Sequence, residues 1–302
     1  MENIQNFNYH THTKRCGHAE KNYSDEEYVK EACQVGIKFL AFTDHIPFQN
    51  TKDIKENIRM PYSQVDEYIQ SIRKLKNKYK GKINIETGFE FEYIPKELDN
   101  ILKLKSKVDK MILGQHFIFD REGRIKYFSI KQGGLTDKEM IQYVCLISKS
   151  LENGLPDIIA HPDLFLKFRK EFGKKEEFIT RQLCNLAEKY GVPMEINLNE
   201  VYKEYVKVTR QIPNANEEEK IRNTIMNIKY PNKNFWQILS EYKEIKVLYG
   251  IDAHYKGQIL NSKITHKIVN TMLGNTIDKL NFVDYDFQSI NKEKNENESM
   301  RE

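Results

Sequence analysis

The sequence KFLAFTDH, residues 38–45, shows how this chain is built, because a short apolar run ends in an Asp-His pair. Such a run is typical of a buried β-strand. A helix is predicted directly before it. Ser24 is a good N-cap with Glu27 at the capping-box position, and Gly36 ends the helix. The stretch is therefore predicted to be the strand of a helix–strand unit with polar residues at its carboxyl end.

This unit recurs along most of the chain. Strands are predicted at residues 6–10, 38–43, 83–85, 111–113, 157–160, 194–197 and 245–249, and helices at 24–36, 63–79, 96–108, 137–151, 176–190 and 235–242. Strands that alternate with helices indicate βα units and parallel pairing. The sequence therefore predicts an α/β protein with a parallel sheet.

The 302 residues are predicted to form one domain, because α/β barrels reach about 250 residues as a single unit. We place this domain at residues 1–288. Residues 200–231 are polar and basic around an acidic Glu217-Glu218-Glu219 group, and are predicted to be an insertion or a long loop. Residues 289–302 are highly charged and are predicted to be a disordered tail.

Composition and charge exclude several classes of protein. The formal charge of +4 is small beside 48 basic and 44 acidic residues, so a nucleic-acid partner is not expected. The four cysteines lie far apart and form no CxxC pair, which argues against a disulfide scaffold and a structural zinc knuckle. No signal peptide and no apolar run of about 18 residues is present, so the prediction is a cytoplasmic protein without membrane spans.

Histidines and acidic residues stand at the ends of the predicted strands, and both are ligands for zinc, manganese and iron. In His10-Thr11-His12 the two imidazoles point to the same side of an extended chain, so both can bind one ion. Seven of the eight histidines belong to such positions, and His266 is expected at the surface. The candidate ligands are His10, His12, His18, His45, Glu90, His116, His161, Asp252 and His254.

The order of these motifs resembles the polymerase and histidinol phosphatase (PHP) superfamily, and their form is most similar to its histidinol-phosphate phosphatases. The motifs are YHTHT, CGHA, TDHIPF, GFEFEYIP, LGQHF, AHPDLFLKF and DAH, spread over residues 7–258. The resemblance implies a distorted (β/α)7 TIM-like barrel, the PHP fold. It also implies a centre of three divalent metal ions, which the ligand types allow to be zinc, manganese or iron.

Carried over by residue, the resemblance implies that His10, His12, Glu90 and Asp252 hold the first metal. Glu90 would bridge to the second, which His116 and His161 complete, and His18, His45 and His254 would hold the third. Glu92 is the alternative to Glu90, since the two side chains share a face of an extended strand. The Gly-x-Glu pattern favours Glu90.

The activity implied is metal-dependent hydrolysis of a small phosphate ester, with a hydroxide that bridges the metals as nucleophile. The expected substrate is L-histidinol phosphate, which gives L-histidinol and phosphate in histidine biosynthesis. Arg169 is predicted to bind phosphate, with Lys167 as the alternative. Asp44 and Asp163 are predicted to orient histidine ligands, and Asp163 is also a candidate to protonate the leaving alcohol.

Three other functions remain open from the sequence. Members of the superfamily include exonucleases, so a phosphodiesterase is one, although no basic run with interleaved aromatics flanks the motifs. A phosphatase for another monoester, such as phosphotyrosine, is the second. A non-catalytic metal-binding module is the third, and the loss of ligands that would mark it is not observed.

Overall fold

The computed structural model describes residues 5–51, 58–128 and 134–283, and its framework is one parallel sheet. Its strands follow one another in chain order except for a small antiparallel hairpin, β5–β6, which stands apart. The strands are β1 (Phe7–Asn8), β2 (Phe39–His45), β3 (Asn84–Phe91), β4 (Lys110–Leu113), β5 (Phe117–Phe119), β6 (Ile125–Tyr127), β7 (Ile158–Ile159), β8 (Met194–Asn197), β9 (Lys246–Gly250) and β10 (Asn281–Phe282).

Helices connect the strands as expected for βα units. The first begins as predicted, since the Ser24 amide donates to Glu27 Oε2 at 2.7 Å, and it ends at Gly36, whose φ of 85° suits glycine. The helices are α1 (Asp25–Val35), α2 (Val65–Lys78), α3 (Leu98–Lys105), α4 (Asp137–Glu152), α5 (Lys174–Tyr190), α6 (Asn199–Gln211), α7 (Glu217–Asn227), α8 (Lys233–Leu239) and α9 (Ser262–Leu273).

The sheet closes on itself between β1 and β9. Thr11 and Ala253 form a parallel bridge, in which the His12 amide donates to the Ala253 carbonyl at 2.8 Å. Nearby, the Ile251 amide donates to Asn8 Oδ1, so side chains replace part of the backbone ladder. Seven strands from β1 to β9 thus form a ring, and β10 adds to the start of β9. The predicted distorted seven-stranded barrel is confirmed.

The barrel has an inner and an outer core. Side chains from across the ring meet in its interior, as in other βα barrels: Phe7, Tyr9, Phe39, Ala41, Ile112, Ile158, Ala160, Leu248 and Val283. A larger apolar cluster fills the space between the strands and the surrounding helices. Both faces of the sheet are therefore covered by apolar side chains.

Most of residues 200–231 lie in α6 and α7, which contact each other and α9. The segment is therefore helical, and of the two predicted alternatives the insertion stays a prediction. One expectation from the sequence is wrong. His266 is not at the surface but buried on α9, with its ring 4.3 Å from that of Tyr249. The predicted tail at 289–302 lies outside the described residues. None of the described helices is both long and apolar enough to cross a membrane.

Candidate metal centre

The nine predicted ligands meet at one end of the barrel, where the carboxyl ends of the strands lie. His10 and His12 follow β1, and His45 is the last residue of β2. Glu90 lies near the end of β3, and His116 follows β4. The remaining ligands after β1, β7 and β9 are His18, His161, Asp252 and His254. The βα topology therefore explains why residues from 10 to 254 converge.

Glu90 stands at the middle of the cluster. Its Oε2 lies 3.0 Å from His45 Nδ1 and 3.4 Å from His12 Nε2. Its Oε1 lies 2.7 Å from His161 Nε2 and 3.4 Å from His116 Nε2. One carboxylate thus faces imidazoles on both sides, which is the arrangement needed by a ligand shared between two ions.

Asp252 and the remaining histidines complete two further groups of donors. Asp252 Oδ1 lies 3.4 Å from His10 Nε2 and 3.2 Å from His12 Nε2, and it is buried without a hydrogen-bond partner in the described part of the chain. His18, His45 and His254 offer ligand atoms within 4.8 Å of one another. Atoms that share an ion at about 2.0–2.2 Å lie roughly 3–4 Å apart, so the donor set fits divalent cations.

The buried carboxylates of the cluster carry negative charge that a cation would balance. Burial opposes ionisation of Glu90 and Asp252, but the imidazoles around them outweigh it and hold the pKa of both carboxyls well below the usual range. Burial, together with His254, lowers the pKa of His12 to about 3, so this imidazole is neutral and free to coordinate. His10 differs, because nearby carboxylates outweigh burial and raise its pKa well above 6.5. A proton or a metal ion must balance these buried negative charges.

Two of the ligands have strained backbones. His161 has φ of 34° and Asp252 has φ of 50°, and no other non-glycine residue in the described ranges has positive φ. Left-handed conformations of such residues cost energy and persist where the surrounding structure enforces them. Each residue lies two positions after the end of a barrel strand, and both side chains belong to the cluster.

Two glycines make room for buried carboxylates. A Cβ on Gly114 would lie 1.9 Å from Oε1 of Glu90, and a Cβ on Gly250 would lie 2.1 Å from the carboxyl carbon of Glu195. No side chain at either position could avoid these contacts without moving the carboxylate. Gly114 on the neighbouring strand end is therefore required for Glu90 to reach its central position.

The sequence reasoning missed Glu195 and Arg59, which hold two of the histidines. Glu195 on β8 accepts from His10 Nδ1 at 2.7 Å, and this fixes Nε2 toward the centre. Glu92 lies 3.0 Å from His116 Nδ1 and is itself held by two hydrogen bonds from Arg59. The alternative to Glu90 therefore serves as a partner of His116. An acidic residue within the buried run of β8 was an available signal, whereas nothing in the sequence marked Arg59.

Asp44 and Asp163 lie beside the cluster and point into the protein. Asp44 accepts from the Thr13 amide at 2.6 Å and from its hydroxyl, and Asp44 Oδ1 lies 3.8 Å from His12 Nδ1. It therefore fixes the segment that follows His12. Asp163 Oδ2 accepts from the Asn232 amide at 2.6 Å and from the Trp236 indole at 3.2 Å. Burial raises the pKa of both carboxyls to about 7.

Arg169 is not brought to the metal cluster. Its Nη1 donates to the Leu135 carbonyl at 2.6 Å, and Nε and Nη2 donate to Glu176. It lines a separate cavity, so this geometry does not support the predicted contact with phosphate. Lys167 does line the cavity above the ligands, where it pairs with Glu200 at 2.6 Å, and Lys203 lies on the same wall.

The cavity over the cluster has a volume of about 350 Å³, the size of a site for a small molecule. Its floor is formed by the ligands, and its walls combine cationic, amide and aromatic side chains. The walls include Tyr127, Phe128, Lys167, Phe168, Asn197, Asn199, Glu200, Lys203 and Tyr230.

Comparison with protein families matches residues 8–199, more than half of the chain, to the PHP domain. The histidinol-phosphatase of Bacillus subtilis is 28% identical over 223 residues, which cover 65% of this chain and 81% of that protein. A Deinococcus radiodurans protein described as a "probable histidinol-phosphatase" is 31% identical over 166 residues, which cover 53% of this chain and 61% of that protein's length.

A solved structure also resembles this one. It is the histidinol phosphate phosphatase of Lactococcus lactis in complex with zinc, L-histidinol and phosphate. The TM-score is 0.62 with 15% sequence identity, and the match covers 92% of this chain and 95% of the other. At this identity the likeness shows a shared fold.

Proposed function

This chain belongs to the PHP domain family, and from that premise we propose that it is a metal-dependent phosphomonoesterase that hydrolyses L-histidinol phosphate to L-histidinol and phosphate. The observation that carries the proposal is the convergence of nine histidine and carboxylate side chains, with Glu90 in their middle, at the floor of a small cavity. The names of the Bacillus and Deinococcus relatives support the choice of substrate.

Three divalent ions are proposed for this centre, in the arrangement that the ligand groups suggest. His10, His12 and Asp252 form one group, and His18, His45 and His254 form another. His116 and His161, on the other side of Glu90, form the third. Bound divalent cations would provide Lewis-acid stabilisation of the phosphoryl charge and an activated water nucleophile. Zinc is the first choice, since the Lactococcus structure of the same fold contains it, and manganese and iron suit the same ligands.

Besides holding the metal ions, the chain would orient the substrate. Lys167 and Lys203 line the cavity, and an ammonium group there would attract phosphate as a point charge. Burial lowers the pKa of Lys203, because the charged ammonium loses contact with water. A phosphate bound beside Lys203 would stabilise the charged form again. The aromatic side chains of Tyr127, Phe128 and Phe168 line the cavity and supply apolar rings against which an imidazole can pack. The cavity therefore combines features that suit both ends of histidinol phosphate.

The test is steady-state phosphate release from histidinol phosphate by protein reconstituted with zinc or manganese. Phosphotyrosine, p-nitrophenyl phosphate and bis-p-nitrophenyl phosphate serve as comparison substrates. We expect kcat/KM of about 10⁴ M⁻¹s⁻¹ or more on histidinol phosphate, with the diester poor. Preferred cleavage of the diester would instead place the protein among phosphodiesterases, and preferred phosphotyrosine would change the named substrate.

A matched control distinguishes activity that depends on the metal cluster from activity of a contaminating phosphatase. The double variant His10→Ala/His12→Ala removes two ligands of one group and should lose activity on every ester. Its fold is checked by circular dichroism and thermal unfolding. Full turnover in a folded double variant would refute the assignment of this cluster as the catalytic centre.

A further inference from the structure

Tyr230 is a buried residue in the wall of the metal cavity. It lines the cavity together with Glu90, His161 and Asp252, and it is only 3% exposed. The hydroxyl is buried and has no hydrogen-bond partner among the residues that the structure describes. A buried hydroxyl without a partner costs free energy. Its position beside the cluster therefore suggests that its partner is a bound molecule.

Burial raises the pKa of the Tyr230 phenol above its usual value of 10. A phenol is protonated at neutral pH even at that usual value, so the hydroxyl can donate a hydrogen bond. Lys167, whose ammonium lies 5.8 Å from the Tyr230 ring, forms the adjoining part of the cavity wall.

The segment that carries Tyr230 is fixed to the loop that carries a predicted ligand. Asp163, two residues after His161, accepts from the Asn232 amide and from the Trp236 indole. Trp236 is fully buried. These contacts hold the chain around residue 230 against the carboxyl end of β7. Asp163 therefore positions this segment, and it is not among the residues that line the cavity.

We propose that the Tyr230 hydroxyl is the proton donor to the leaving alcohol oxygen, a role that rests on the proposed phosphomonoesterase function. Water supplies the oxygen that bonds to phosphorus as the phosphorus–oxygen bond of the ester breaks. The electron pair of that bond stays on the alcohol oxygen, which takes the phenol proton. The attacking water loses one proton, which returns the phenolate to the phenol, and its other proton stays on the phosphate. The products are therefore the alcohol and hydrogen phosphate.

Several other groups near the cavity are less suited to this step. The imidazoles of the cluster face the carboxylates of Glu90 and Asp252 and are the proposed metal ligands. Lys167 is already paired with Glu200, and Asp163 does not line the cavity. Tyr230 lines the cavity, and its hydroxyl has no hydrogen-bond partner among the described residues.

The experiment compares two leaving groups in the Tyr230→Phe variant. An alkyl alcohol leaves poorly without a proton, whereas p-nitrophenolate leaves well because its charge is delocalised. Since a general acid contributes about 10²–10⁴-fold, we expect kcat on histidinol phosphate to fall at least about 100-fold. On p-nitrophenyl phosphate we expect a fall of less than about threefold. Equal losses on both substrates, or no loss on either, would overturn the proposal.

Two further variants guard the interpretation. Tyr143→Phe removes another buried phenol, which donates to the Pro162 carbonyl, and should not change the ratio of the two activities. If Tyr230→Phe does not fold or does not bind metal, Trp236→Phe is measured instead. It loosens the segment but keeps the hydroxyl, and it should reduce the same ratio by a smaller factor. An unchanged ratio in folded Trp236→Phe would overturn the proposal.

The same design separates this proposal from the proposed substrate. A simple alkyl phosphate such as 2-aminoethyl phosphate can replace histidinol phosphate as the poor-leaving-group substrate. If the wild type cleaves alkyl phosphates but not histidinol phosphate, the named substrate is wrong and the Tyr230 comparison can still be made.

Discussion

Nδ1 of His10 lies 2.7 Å from Oε2 of Glu195, although 185 positions separate the two residues in the sequence. Both are at most 1% exposed, and Glu195 is held in turn by the side-chain amide of Asn197 at 2.8 Å. A carboxylate that accepts from the far nitrogen of a ligand fixes the tautomer and makes the imidazole a stronger donor. Four properties of the protein can be tested on this and related contacts.

Glu195→Ala should weaken metal binding without removing any ligand. Loss of such a partner typically costs 10–100-fold in metal affinity, and we expect a change of that size in competition titrations with a chromophoric chelator. Glu86→Gln is the control, because this carboxylate stands at the opposite end of β3 from the centre. Equal affinity in wild type and Glu195→Ala would show that the His10–Glu195 contact does not tune the site.

Gly114→Ala should displace Glu90 from the middle of the cluster. The added Cβ would lie 1.9 Å from Glu90 Oε1, so the carboxylate must rotate away from the imidazoles. We expect fewer metal ions per chain by elemental analysis and at least about a tenfold loss of activity. Gly173→Ala is the matched change, because its Cβ would stay 3.5 Å from the nearest atom. Wild-type metal content in Gly114→Ala would contradict the central role of Glu90.

Arg59→Ala should destabilise the protein strongly. Arg59 donates two hydrogen bonds of 3.0 Å to Glu92, and both side chains are at most 4% exposed. Removal of one partner leaves a buried charge and typically costs about 3–5 kcal/mol of unfolding free energy, measurable by urea denaturation. The double variant Arg59→Met/Glu92→Gln should recover much of this loss. A double variant as unstable as the single one would show that packing, not charge, is responsible.

His266 should make the protein less stable in mild acid. Burial lowers the pKa of His266 from 6.5 to about 4, so the unfolded chain binds the proton more readily than the folded one. Neutral His266 contributes its full share to the free energy of unfolding above pH 6.5, and this share is lost as the pH falls toward 4. At 1.36 kcal/mol per pKa unit the loss approaches about 3 kcal/mol. His266→Leu should flatten unfolding free energy over this range, and an unchanged pH profile would exclude His266 as its cause.

The sequence by itself predicted the βα units and the positions of the candidate ligands, because both depend on local pattern, and the resemblance to the PHP superfamily implied the barrel. Apolar runs of strand length alternate with capped helices such as α1, and parallel strands of a barrel bring their carboxyl ends to one rim. A ligand type directly at a strand end, as in Asp44-His45 or His10-Thr11-His12, is therefore placed by its position in the chain. This is why the candidate ligands from His10 to His254 could be predicted from the sequence to lie at one site.

The tertiary structure alone decided which side chains support those ligands and which face away. The contacts of Glu195 with His10 and of Arg59 with Glu92 join residues far apart in sequence, and no local pattern records such pairs. Arg169 donates to Glu176, and His266 is buried against Tyr249. Both outcomes depend on how whole helices pack, because that packing determines where a long or amphipathic side chain points. The pattern of strands and helices determines the element on which a residue lies. The partners of its side chain depend on how the helices pack against the sheet.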